Sequence, residues 1–157
     1  MSDDEFINEG SALDELTHTE LRMMHQEGAA AILFAKKLQW QSVGSSLLVF
    51  GASIAISMSN LADKTLINLL MVVIIILTCG VILVLVLYQF WQFNEITRLR
   101  KIDQHFSSLY KNLKDVKSSR EGNYHRYTLL VAMMLTVIMG AGIAIVSIQK
   151  SLMSLPY

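Results

Sequence analysis

LINLLMVVIIILTCGVILVLVLYQFW, residues 66–91, holds no charged side chain, and the nearest charges are Lys64 before it and Glu95 after it. Those 26 residues, at roughly 1.5 Å of rise each, make a helix of roughly 39 Å, enough to cross a hydrocarbon core of roughly 30 Å. Tyr88, Phe90 and Trp91 then fall at one membrane interface, where amphipathic rings settle. Just beyond them the pattern changes. Leu99, Ile102, Phe106, Leu109, Leu113 and Val116 recur at alternating steps of three and four, while Arg98, Arg100, Lys101, Lys111, Lys114 and Lys117 fall largely off that stripe. This spacing predicts a basic amphipathic helix over residues 95–117, with an apolar face that needs a partner.

Two further windows resemble the first in lacking charge: residues 38–62 and 127–149. They account for a chain of 157 residues in which 53% of side chains are hydrophobic and only 17% charged. Three spans consume nearly half of it, so no sizeable independent soluble core remains and one domain is the economical organisation. The expected fold class is therefore all-α, an integral membrane protein with three transmembrane helices over residues 41–60, 66–91 and 124–149. Two amphipathic cytoplasmic helices, 13–40 and 95–117, an acidic flexible arm over 1–12 and a short external tail over 150–157 complete it.

A net charge of zero conceals an asymmetry, because residues 1–35 carry eight acids and one base while residues 95–126 carry eight bases and four acids. Counted by side of the membrane, eleven Lys and Arg residues flank the arm and the long loop, against Lys64 and Lys150 opposite. The positive-inside bias places the N-terminus and the loop in the cytoplasm and the C-terminus outside, in a cytoplasmic (inner) membrane. The acidic, polar start is the opposite of a signal peptide, so insertion is expected to use the spans themselves. Cys79 reads as a small apolar filler within the second span, with no second cysteine to pair with.

A first helix should start near Ser11 or Asp14, with Asp14 and Glu15 in its first turn. Its small or apolar face is Leu21, Met24, Gly28, Ala31, Ala35 and Leu38, and no breaker separates it from the first span. That span has two small-residue faces. Gly44, Gly51, Ala55 and Ser59 form one, a candidate helix-packing stripe, and Ser46, Ser53 and Ser57 stand about 200° away on the other. The third span repeats small residues at Ala132, Thr136, Gly140 and Ala144 in steps of four, again a helix-packing signature. Ahead of it, Ser118 and Glu121 stand at capping-box spacing.

Chain reach limits the basic segment. An upright helix from residue 91 to 117 would end roughly 39 Å above the interface, whereas ten extended residues cover only about 34 Å before the chain re-enters at residue 127. The segment must tilt, break, or lie along the surface. Its two candidate docking surfaces are the small face of the N-terminal helix and anionic lipid headgroups.

None of the three charge-free windows contains Asp, Glu, Lys, Arg or His, which argues against an ion-coupled transporter or proton pump. Glu15-x-x-His18, with Glu20 and His25 nearby, is half of a di-iron motif, but Glu121 and His125 have the wrong spacing for the other half. His105 and His125 read as interfacial or exposed. No nucleophile motif, phosphate loop or zinc spacing occurs, so no catalytic, cofactor or metal residue is named and no small-molecule substrate is identified. The basic loop lacks interleaved stacking aromatics and gives no reason to expect nucleic acid. Expected partners are membrane lipid, other membrane-protein subunits and further copies of the chain. The leading expectation is a non-enzymatic accessory or assembly subunit, joined through its small-residue spans and through Leu21, Met24, Ala31, Ala35, Leu99, Ile102, Phe106, Leu109, Leu113 and Val116. The alternative is an oligomeric pore lined by Ser46, Ser53, Ser57 and Asn60.

Overall fold

A computed structural model of the chain describes residues 13–59, 63–115 and 119–153, with side chains described except over 113–123. Four helices follow in order: α1 (Glu15–Ser57), α2 (Lys64–Asp103), α3 (Ser108–Asp115) and α4 (Ser119–Met153). No strand occurs among the described residues. Three helices are long and apolar enough to cross a membrane: α1, α2 and the part of α4 over Tyr124–Met153, with α2 the most apolar.

Local chemistry sets the helix starts. Asp14 caps α1 by accepting the Thr17 backbone N–H on Oδ2 at 3.4 Å, and Asp63 caps α2 by accepting that of Leu66 on Oδ1 at 2.7 Å. Each carboxylate satisfies one of the donors that a helix leaves unpaired in its first turn. The Asp14 carboxyl is held below the usual carboxylate range by its hydrogen bonds to Thr17, side chain first and then backbone. With no proline or turn sequence to stop it, α1 runs unbroken through both segments expected at 13–40 and 41–60. Residues 1–12 including Ser11, together with Asn60, Val116, Ser118 and residues 154–157, lie outside the described residues. So do the side chains of Leu113 and Glu121.

The basic segment differs from the single helix its periodicity predicts. Helix α2 passes Glu95 without interruption and ends at Asp103, and α3 begins only at Ser108. Tight turn bonds close the end of α2, from His105 N–H to the Ile102 carbonyl at 3.0 Å and from Phe106 N–H to the Asp103 carbonyl at 3.3 Å. Ser107 then caps the new helix by accepting the Tyr110 N–H on Oγ at 3.4 Å. The break resolves the reach problem, because only twelve residues of α2, about 18 Å, follow Trp91.

The chain divides into two compact units, one of residues 1–35 and 90–127 and the other of 36–89 and 128–157. In the second unit Val43 and Phe50 from α1, Ile67, Ile74, Val81 and Leu85 from α2, and Met133, Val137, Ala141, Ala144 and Ile148 from α4 form the core. The α2 contributions begin at strict sevens, and those of α4 step by four, four, three and four, the spacing that keeps one helix face against its neighbours. Ser46, Ser53 and Ser57 join this core, all at most 3% exposed. Two side-chain bonds tie helices here: Gln39 Nε2 donates to the Leu85 carbonyl at 2.9 Å, and Ser151 Oγ to the Ser57 carbonyl at 2.6 Å. Outside the core, Leu48, Ile76, Met139 and Val146 are exposed, an apolar surface of a kind that water does not favour.

In the first unit the start of α1 lies against the end of α2. Gly28 marks a close approach: a Cβ built there would stand 2.8 Å from Leu99 Cδ2 and 3.2 Å from its Cγ. Ala35, Ile102 and Asp103 of the same unit are buried.

Candidate functional site

Asp103 is the unusual residue of the first unit. It is an acid 6% exposed, at the end of a helix whose last turn also carries Arg100 and Lys101. Burying a carboxylate costs several kcal/mol unless it is hydrogen-bonded, at about the order expected for an ion moved out of water. Two side chains meet that cost. The Tyr110 hydroxyl donates to Asp103 Oδ1 at 3.1 Å, and His25 Nε2 stands 3.2 Å from the same oxygen. Tyr110 Oη and His25 Nε2 are themselves 3.0 Å apart, so one atom from each of α1, α2 and α3 closes a three-membered polar ring.

Aromatic edges surround the ring. Phe106 meets His18, His25 and Tyr110 edge-on, at centroid distances of 5.6, 5.9 and 4.9 Å, and His25 meets Tyr110 at 6.1 Å. Such T-shaped contacts are each worth about 0.5–1.5 kcal/mol beyond the area they bury. Burial also raises the Tyr110 phenol above its ordinary pKa, which keeps it in the neutral form that donates to Asp103. The cluster can share protons and can fasten three helices. Its geometry is that of a clasp.

His18 and His25 take part in this aromatic clasp, and His105 is exposed. Among the described residues no three His, Cys, Asp or Glu side chains gather in a way that suits a metal. Of the residues expected at a helix interface, Leu21, Ala31, Leu99 and Phe106 are half-buried, Ala35 and Ile102 buried, and Met24 and Leu109 exposed. Asp103, Tyr110 and His25 were not among them. One signal was present: His18 and His25 are seven residues apart, as are Asp103 and Tyr110. The turn at 104–107 hides the second pair from any helical count.

In the second unit the two faces of α1 take distinct positions. Ser46, Ser53 and Ser57 point inward, and each hydroxyl donates to a carbonyl of its own helix: Val43 at 2.7 Å, Val49 at 2.8 Å and Ile54 at 2.8 Å. Gly44, Gly51, Ala55 and Ser59 are exposed, and nothing stands within 4 Å of a Cβ built at Gly44 or Gly51. The α4 row divides. Ala132 and Thr136 are exposed, Gly140 is half-buried and Ala144 fully buried. A Cβ at Gly140 would meet Leu47 Cδ2 at 2.6 Å and Phe50 Cδ2 at 3.3 Å, so this glycine serves contact within the chain. The chain matches no protein-family model, no curated protein and no solved structure.

Proposed function

We propose that this chain is a non-enzymatic accessory or assembly subunit of a cytoplasmic-membrane complex, associating with itself or other subunits through the outer face of α1. Its three apolar helices cross the bilayer in this reading, with residues 13–35 and 95–126 on the cytoplasmic side. The carrying observation is the open row at Gly44 and Gly51, beside which a second helix can approach closely without displacing anything in the chain. Exposed Leu48, on the same face between the two glycines, would supply apolar contact.

Replacing Gly51 with Leu in lipid nanodiscs tests the reading. Its expected result is a particle whose protein mass falls to one chain, with helix content retained, since the new side chain meets nothing internal. An unchanged mass and unchanged co-purifying subunits would overturn it. The alternative, a pore lined by Ser46, Ser53, Ser57 and Asn60, lacks comparable support. The three described serines are turned into the chain's own core and back-bonded, so α1 would have to rotate before they met an aqueous lumen.

A further inference from the structure

Between α1 and α2 in the second unit lies a groove of about 360 Å³, bordered by Leu38, Gln41, Ser42, Ser45, Leu77 and Val81 among others. Its α1 wall extends from residue 38 to 49, roughly 16 Å along the helix, about half of a hydrocarbon core roughly 30 Å thick. Its α1 wall brings Gln41, Ser42, Ser45 and Ser46 together with apolar Leu38 and Val49, and its α2 wall is Leu77 and Val81. Exposed Trp40, near the start of the α1 wall, is the kind of side chain that settles at headgroup depth.

On α1 the charges just before the groove have one sign. Lys37 is exposed one turn before Gln41 and two turns before Ser45, on one side of the helix, and Lys36 Nζ donates to Gln39 Oε1 at 3.0 Å. No acid occurs from residue 28 to 62. Ser42 Oγ already donates to the Leu38 carbonyl at 2.9 Å, so its oxygen is left to accept, whereas the Gln41 amide brings two N–H donors. A ligand for this groove needs a long apolar tail and an anionic, hydrogen-bond-accepting head.

We propose that the groove binds one acyl chain of an anionic glycerophospholipid, with its phosphate held by Lys37 and the Gln41 amide. This inference rests on the membrane reading above but not on assembly. Ser45 lines the groove and lies off the Gly44–Gly51 row, whereas Lys37 stands on that row seven residues before Gly44, so Ser45→Trp is the change that tests the groove separately from assembly.

The intact chain, purified in mild detergent and offered equal phosphatidylglycerol and phosphatidylcholine, is the test, with retained lipid counted by native mass spectrometry. One phosphatidylglycerol per chain is expected. Lys37→Gln should lower its retention about fivefold, the equivalent of about 1 kcal/mol for one basic residue at a lipid surface. Ser45→Trp, which fills the groove from an exposed position, should abolish retention. Equal retention of both lipids, or retention unmoved by Lys37→Gln, would overturn the site. So would a Ser45→Trp variant that changes assembly mass while keeping its lipid, because the occupant would then be a second copy. A monomer that binds phosphatidylglycerol leaves the site standing and sinks assembly, whereas a chain that fails to enter nanodiscs sinks the membrane reading.

Discussion

Tyr110 is where the chemistry of the first unit is most exposed to a single change. Its hydroxyl serves a carboxylate already out of water, and hydrogen bonds to charged groups contribute about 1.5–3 kcal/mol. Tyr110→Phe should destabilise the first unit by an amount of that order, read as faster amide hydrogen exchange over residues 18–35 and 92–110 with exchange over 64–85 unaltered. The alkaline limb has a definite sign. Because the folded phenol has a raised pKa, its contribution is complete below an exposed tyrosine's value of about 10 and is lost as pH rises through the folded value. The loss should be absent in Tyr110→Phe. Glycines separate just as sharply. A side chain at Gly140 collides with Leu47 and Phe50 of the same chain, while one at Gly51 meets nothing. Gly140→Leu should lower the thermal stability of the monomer, and Gly51→Leu should leave it within about 0.5 kcal/mol, as for an ordinary surface change. Sequence pattern treats the two glycines alike, since a small residue at helical spacing looks the same whether its partner is internal or external.

Helices have their own arithmetic, and it explains which stripes survive. Steps of four advance about 40° around an α-helix, so Ala132, Thr136, Gly140 and Ala144 wind through about 120° and pass from surface to core. A step of three among the fours turns the row back and holds one face, which is why the buried α4 positions fall at 133, 137, 141, 144 and 148. The serine row of α1 was legible as a face, and its hydroxyls bond to carbonyls of their own helix, so they are no longer polar groups in search of water. Hidden was the end of α2, where three-four spacing continues through a turn made by Ser107 and two tight carbonyl bonds. Helix starts offer tests at this scale. Asp63→Ala should cost about 1 kcal/mol and speed amide exchange at residues 64–67. Asp14 has a depressed pKa in the fold, so its cap is intact above the usual carboxylate pKa and loosens as pH falls through the folded value. Exchange at residues 16–18 should therefore rise in acid, and Asp14→Asn, which keeps the cap without the charge, should flatten that dependence.

Across the whole chain, charge-free windows were the most legible feature, because a missing charge over twenty or more residues is visible without knowing any contact. They coincide with the three helices that are long and apolar enough to cross a membrane, whose outward side chains include Leu48, Ile76, Met139 and Val146. In the proposed membrane reading, three crossings would put residues 15 and 153 on opposite sides and leave the 95–126 segment on the side of the α1 start. The eleven basic residues flanking those segments, against Lys64 and Lys150, would then place that side in the cytoplasm. Single cysteines placed at exposed positions in a Cys79→Ala background make this measurable. Cysteines replacing Glu20 and Gln104 should resist a membrane-impermeant maleimide in intact cells and react after permeabilisation. Those replacing Lys64 and Lys150 should react without it. If Glu20→Cys and Gln104→Cys label from opposite sides, α2 does not enter the bilayer alone between two other crossings, and the three-span arrangement is wrong. If all four labels invert together, the spans stand and only the charge rule has failed.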